Sequence, residues 1–200
     1  MPTKAEQSDV TRGRLLRAAR KLFAEHGFRE TATEAVVKEA GVTRGALYHH
    51  FKDKTALFAA VYEDIEQDLS EQLLSSIVGV TDPVAALERG VDTFLDACLD
   101  PAVRRIVLLE GPSVLGWEQW RELDQAYGLG LIKAALQAAM EAGAIRETPV
   151  EPLAHIVLGG LVEAGMLLAS ASDPEAARRE IGAAAVSVIE GLRVPARRRR

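Results

Sequence analysis

Two hundred residues, 48% hydrophobic and 26% charged, suffice for one compact domain or for a small domain joined to a larger one, with enough apolar residues to bury a core. The single Cys98 excludes an internal disulfide framework and fits a reducing cytosol, and Met1–Ser8 lacks the apolar run of a secretory signal, so the expectation is a cytoplasmic protein that begins with a short loose arm. The formal net charge of −5 is unevenly divided: residues 1–60 hold eleven Lys/Arg against seven Asp/Glu and the remainder thirteen against twenty-two, so only the N-terminal third suits nucleic acid.

A first helix is predicted from about Val10 to His26. Leu15, Ala19, Leu22 and Phe23 fall on one face at helical spacing, Arg12, Arg14, Arg17, Arg20 and Lys21 surround it, and Gly27 stops it. Those cations are either phosphate contacts, Arg12 and Arg14 foremost, or a solvated surface. Thr31 is a suitable N-cap, and Glu34 three residues later completes a capping box, so a second helix is expected from about Ala32 to Ala40. Gly41 can take the positive φ of a sharp turn, Val42 can tuck into the angle between two helices, and Thr43 caps a short helix from Arg44 to about His50. Two turns are marginal alone, so Val36, Ala40, Val42, Leu47 and Phe51 must hold it by packing. The pattern is a helix-turn-helix.

The outer side of the short helix carries the chemistry. Arg44 can fork to a guanine edge or a phosphate, Gly45 and Ala46 let backbone approach a groove floor, and Tyr48, His49 and His50 offer donors and flat apolar surface. Lys52 and Lys54 follow, and Asp53 caps a further helix whose N-terminus suits a phosphate. With Thr31, Thr33 and Thr43 these residues form the candidate DNA-contact set.

The order AGVTRGALYHHFKDKTALF resembles the DNA-binding signature of the TetR family of transcriptional regulators, and the preceding helix and its GFRETAT connection fit as well. A bare helix-turn-helix would not share the YHHF-KDK-xxL run. One departure is Val37, where that family often has a small residue, which implies a slightly different angle between the two helices. The resemblance covers the N-terminal third. It implies an all-α chain: a three-helix DNA-binding domain at 9–69, with its helix-turn-helix at about 32–51, joined by a long helix to a helical ligand-binding and dimerisation bundle at 70–194, about nine helices in total. It further implies a homodimer on a palindromic double-stranded operator, acting as a repressor that a small-molecule effector releases.

The fourth helix is predicted to start near Lys54 and end by Gly79, because Leu57, Val61, Ile65, Leu69, Leu73 and Ile77 repeat every four residues; its length makes it the expected transmitter between the two parts. Beyond it, Asp82-Pro83, Asp100-Pro101 and Asp173-Pro174 each place a cap residue before a proline suited to a first helical position. Helices are therefore expected at about 83–99, 101–110, 117–142, 151–171 and 174–191, with a break at Gly111-Pro112. The stretch Leu153–Ala171 is long enough to span a bilayer, but His155, Glu163 and its glycines favour a packed helix. Apolar nearly all round, it needs partners on several sides. Gly159, Gly160, Ala164 and Ala183 to Ala185 would let helices of two chains approach closely, and the resemblance places the dimer interface on 151–171 and 174–191; an internal core helix is the alternative.

Trp117, Trp120, Arg121 and Tyr127 fall close together in a chain with few aromatics, and Phe94, Cys98, Leu99, Glu163 and Met166 can complete a small-molecule pocket from neighbouring helices. The alternative is plain core. Glu163 is expected to be buried and to need a partner, either His155, an arginine across the dimer, or a ligand. Arg121 and Glu163 leave an acid, an amine and an amide all open as effector. The tail Pro195–Arg200 is expected to be a disordered, solvated basic segment.

Competing classes are a helical adaptor or small-molecule-binding protein without an operator, and an enzyme using Cys98 or Glu163. No phosphate-cradling loop, nucleophile elbow or HExxH occurs, and His26, His49, His50 and His155 are not spaced as a metal site, so no cofactor, metal or catalytic residue is expected.

Overall fold

The computed structural model describes residues 3–194. The expected disordered tail at 195–200 and the first two residues of the expected arm lie outside them. The described chain is all-α, with only an isolated antiparallel bridge between Ile145 and Arg193. In chain order the helices are α1 (Lys4–Glu30), α2 (Thr33–Ala40), α3 (Arg44–His50), α4 (Lys54–Ser76), α5 (Pro83–Ala97), the π-helix π1 (Val103–Glu110), α6 (Gly111–Leu115), α7 (Trp117–Asp124), the π-helix π2 (Gln125–Leu129), α8 (Gly130–Glu141), α9 (Val150–Ser170) and α10 (Pro174–Glu190).

Local rules place most of these ends. Asp53 accepts from the Ala56 N–H at 2.7 Å, Asp82 from Val84 at 2.9 Å, Asp100 from Ala102 at 2.8 Å and Asp173 from Ala176 at 3.0 Å. Each carboxylate satisfies a donor that the start of a helix leaves without a partner.

Three expectations fail, each for a physical reason, and one is met in part. The loose arm is helical from Lys4, because Thr3 and Glu6 form a reciprocal capping box upstream of the apolar pattern. The stop expected at Gly27 is met in part: the backbone leaves the helical conformation there (φ +83°, ψ 168°), and a short further turn resumes to Glu30. The Thr31–Glu34 capping box is absent: Ala32 precedes α2 without a side-chain cap, and the buried Thr31 hydroxyl donates to the carbonyls of Gly27 at 2.7 Å and Leu22 at 3.2 Å. The break expected at Gly111-Pro112 falls at Gly116 (φ +81°), since proline at a first helical position leaves α6 intact.

The chain forms two compact units. The first comprises residues through Gln67 together with Asp100–Arg121. In it α1 packs on α2, α3 and π1, and Leu15, Phe23, Leu47, Leu57, Phe58, Val61, Tyr62, Ile65 and Ile106 are buried. Phe23, Phe28 and Phe58 form an aromatic cluster with ring centroids 5.3–6.0 Å apart. The second comprises Asp68–Leu99 and the chain from Glu122 onward. There α10 packs on α5 and α9, and α8 on α5 and α9, around Val84, Leu87, Val91, Leu95, Leu136, Leu158 and Leu168. The Arg178 guanidinium joins α10 to α5 through Asp96 at 2.7 Å and Asp92 at 3.0 Å.

Candidate nucleic-acid interface

The turn before α3 follows from one glycine. Gly41 adopts the left-handed conformation (φ +62°, ψ 40°), and its N–H and that of Val42 close the end of α2 on Lys38 and Val37 carbonyls. Thr43 then caps α3, its hydroxyl oxygen accepting the Ala46 N–H at 3.2 Å. Seven residues are too few for an independent helix. Burial fixes it instead: Leu47 is fully buried and Phe51 nearly so, as are Val36 and Ala40 on α2, which packs on α3.

With that side anchored, Arg44, Gly45, Tyr48 and His49 are exposed, as is Lys52, while Thr33, Ala46 and His50 are partly so. The Arg44 guanidinium lies 5.5 Å from the Tyr48 ring centroid and pairs with Glu34 at 3.2 Å, a partner that spacing alone did not suggest. His49 and His50 stand edge to face at 5.2 Å. Arg12 of α1 reaches over the Phe51 ring at 5.7 Å, which places a further exposed cation beside this surface. Burial, reinforced by the positive neighbours His49 and Arg12, lowers the His50 pKa from its ordinary value.

Two expected contact residues are occupied elsewhere. Thr31 is buried, with its hydroxyl spent on α1 carbonyls. The Lys54 ammonium donates to the carbonyls of Phe28 at 2.8 Å, Thr31 at 3.1 Å and Arg29 at 3.4 Å, and stands 4.4 Å from the Phe28 ring centroid. It closes the end of α1. A lysine in a basic run is indistinguishable in sequence from a phosphate ligand, so nothing in the motif could have revealed this.

The residues expected around a ligand divide between the units. Trp117, Trp120 and Arg121 belong to the first: Trp117 is 67% exposed, its ring 5.1 Å from the buried Trp120 and 5.8 Å from the Arg121 guanidinium. Phe94, Cys98, Tyr127, Glu163 and Met166 belong to the second, where α5, π2 and α9 carry Phe94, Tyr127 and Met166, and α9 packs on both α5 and π2. Glu163 is exposed on α9, contrary to its expected burial. His155 faces Glu151 at 3.5 Å instead, and Glu151 also pairs with Lys133. Among the described residues no three His, Cys, Asp or Glu side chains come together where a metal ion could sit.

The chain is similar to known proteins over most of its length. Residues 15–61 match the profile of the bacterial regulatory proteins of the tetR family, and residues 84–192 that of the tetracyclin repressor-like C-terminal domain. The transposon Tn10 TetC protein of Escherichia coli is 26% identical over 145 residues, 72% of this chain and 73% of that one. The HTH-type transcriptional regulator AcrR of Shigella flexneri is 35% identical over 104 residues, 52% of this chain and 48% of its own length. The crystal structure of a TetR-family transcriptional regulator from Pectobacterium atrosepticum superimposes with a TM-score of 0.86 at 31% identity, covering 98% of this chain and all of that one. With an exposed row of Arg44, Tyr48 and His49 on a packed helix-turn-helix and both parts of the chain matched, this protein belongs to the TetR family and is a DNA-binding transcriptional regulator.

Proposed function

We propose that the protein is a repressor acting as a homodimer in the cytoplasm: two copies of α3 enter successive major grooves of a palindromic operator, about 34 Å apart, and a small molecule bound among the C-terminal helices releases them. The observation that carries the DNA role is the row of Arg44, Tyr48 and His49, exposed on a helix whose other side, Leu47 and Phe51, is buried. Arg44 exchanges its exposed partner Glu34 for a phosphate or a guanine edge, and an exposed ion pair is cheaply given up. Gly45 and Ala46 admit the backbone to the groove; Thr33, Thr43, His50 and Lys52 add contacts at its edges.

The dimer reading rests on α9 and α10. Ile156, Gly160, Glu163 and Leu167 share one face of α9 at helical spacing and are all exposed, as are Gly159 beside them and Ala183, Ala184 and Val188 on α10. A two-fold contact between two copies covers this face of mostly apolar and small residues. It also accounts for α9, which by length and composition alone could cross a membrane. Glu163 then belongs to the subunit interface, and the effector contacts Phe94, Tyr127 and Met166 with Cys98 beneath. Trp117, Trp120 and Arg121 play no part in this reading of the pocket.

The test is selection of fragments of the source genome by the purified protein, at two salt concentrations with unrelated DNA in excess. Specific, salt-sensitive binding is expected, and Arg44→Ala and Tyr48→Ala should each weaken it by about 1–3 kcal/mol without lowering the melting temperature. Unchanged affinity in both variants would remove α3 as the recognition helix.

A further inference from the structure

α1 is interrupted at Gly27, where φ +83° and ψ 168° are incompatible with helix. An interrupted helix leaves carbonyls before the break and an N–H after it without their intrahelical partners, and where they are partly shielded from water, protein groups can substitute. Both substitutes come from π1, more than seventy residues further along the chain. Arg105 Nη1 donates to the Glu25 carbonyl at 2.7 Å and to the Ala24 carbonyl at 3.2 Å. The Phe28 N–H donates to Glu110 Oε2 at 2.7 Å. The charges suit their places, a cation at the C-terminal carbonyls of the first segment and a carboxylate at the first N–H of the next.

The winding of π1 makes the pair possible. Arg105 and Glu110 are five residues apart, which on an α-helix would turn them about 140° from one another. A π-helix bonds residues five apart and so brings them to one side. Gly27 completes the fit: a Cβ there would stand 2.5 Å from Glu110 Oε1, so glycine serves both the backbone conformation and the place of the carboxylate.

We infer that Arg105 and Glu110 are positioning residues for operator binding. They hold the break in α1, the helix on which α2 and α3 both pack, and thereby fix the orientation in which α3 meets the groove. Neither residue touches DNA in this account. The inference rests on α3 being the recognition helix.

Three variants test it. Glu110→Ala removes the acceptor, Glu110→Gln keeps a carbonyl oxygen, and Arg105→Gln removes the charged fork. Each is compared with the wild type in affinity for genomic fragments that the wild type enriches, and in amide hydrogen exchange over residues 24–36, which needs no DNA. Glu110→Ala and Arg105→Gln should bind about tenfold more weakly while melting cooperatively in an unchanged oligomeric state, and the Phe28 amide of Glu110→Ala should exchange about tenfold faster. Glu110→Gln should stay within about threefold of the wild type in both readouts, a rescue that general loosening of the fold would not give. Wild-type affinity in folded Glu110→Ala overturns the inference, and so does unchanged exchange over residues 24–36. If Glu110→Ala fails to fold, Arg105→Gln against Glu110→Gln decides on the same two readouts. A wild-type protein that enriches no fragment counts against α3 as the recognition helix, while exchange still judges the clamp.

Discussion

Two kinds of helix end coexist in this chain. The starts of α3, α4, α5 and α10 are closed by the residue immediately before them, Thr43, Asp53, Asp82 and Asp173. The break and the end of α1 are closed from far away, by Lys54 at 23 to 26 residues and by Arg105 and Glu110 at 80 to 82. A neighbouring cap can form as soon as its helix does and affects little beyond it. A remote cap exists only once the chain has folded back, so it ties the conformation of one segment to another. In this protein the remote kind is concentrated on α1, the helix against which the helix-turn-helix packs.

Substitutions at the two kinds of end sharpen the contrast. Gly27→Ala should have the largest effect, because its φ and ψ lie where essentially only glycine is found, at a cost of about 1–3 kcal/mol, and the new methyl displaces Glu110 besides. Denaturant unfolding would show this loss. An unchanged midpoint would mean that the kink relaxes into continuous helix and that the remote caps matter little. Lys54→Met keeps the side-chain stem but withdraws the donor from three carbonyls; about 1–2 kcal/mol should be lost, with faster amide exchange at the end of α1. Thr43→Ala, at a neighbouring cap, should cost about 1 kcal/mol and leave exchange in α1 as it was. Spread of its effect into α1 would erase the distinction between the two kinds of end.

The smallest effect concerns pH. Burial favours the neutral His50 ring in the folded protein, so the folded chain binds fewer protons than the unfolded one below about pH 6.5. Stability from this group is therefore present above that range and lost as the pH falls through it. Melting temperatures at pH 7.5 and 5.5 should differ slightly less in His50→Gln than in the wild type. An equal difference would show that His50 does not titrate against the fold.

The proposed recognition surface was legible because its determinants are neighbours in sequence. Gly41, Thr43, Leu47 and Phe51 act within a dozen residues, and the helix they build leaves Arg44, Tyr48 and His49 outward. Local competition already limited that legibility. Thr31 satisfies a cap pattern, yet burial beside Gly27 and Leu22 turned its hydroxyl toward α1, and Lys54 went to carbonyls although the basic run pointed it at phosphate. The residues grouped around tryptophan separated into two units, and Glu163 emerged on the surface, because hydropathy along one helix does not say which neighbour covers which face.

By itself, then, the sequence determined the all-α class, the helix-turn-helix with its exposed row, and the helix starts at Asp-Pro pairs, all of which depend on propensities and hydrogen bonds spanning a few residues. Only the tertiary structure decided that Asp100–Arg121 joins the N-terminal unit, that π1 serves the break in α1, and that Lys54 is a clamp. Those outcomes depend on which distant groups arrive at an unsatisfied backbone atom, and no local pattern encodes that arrival.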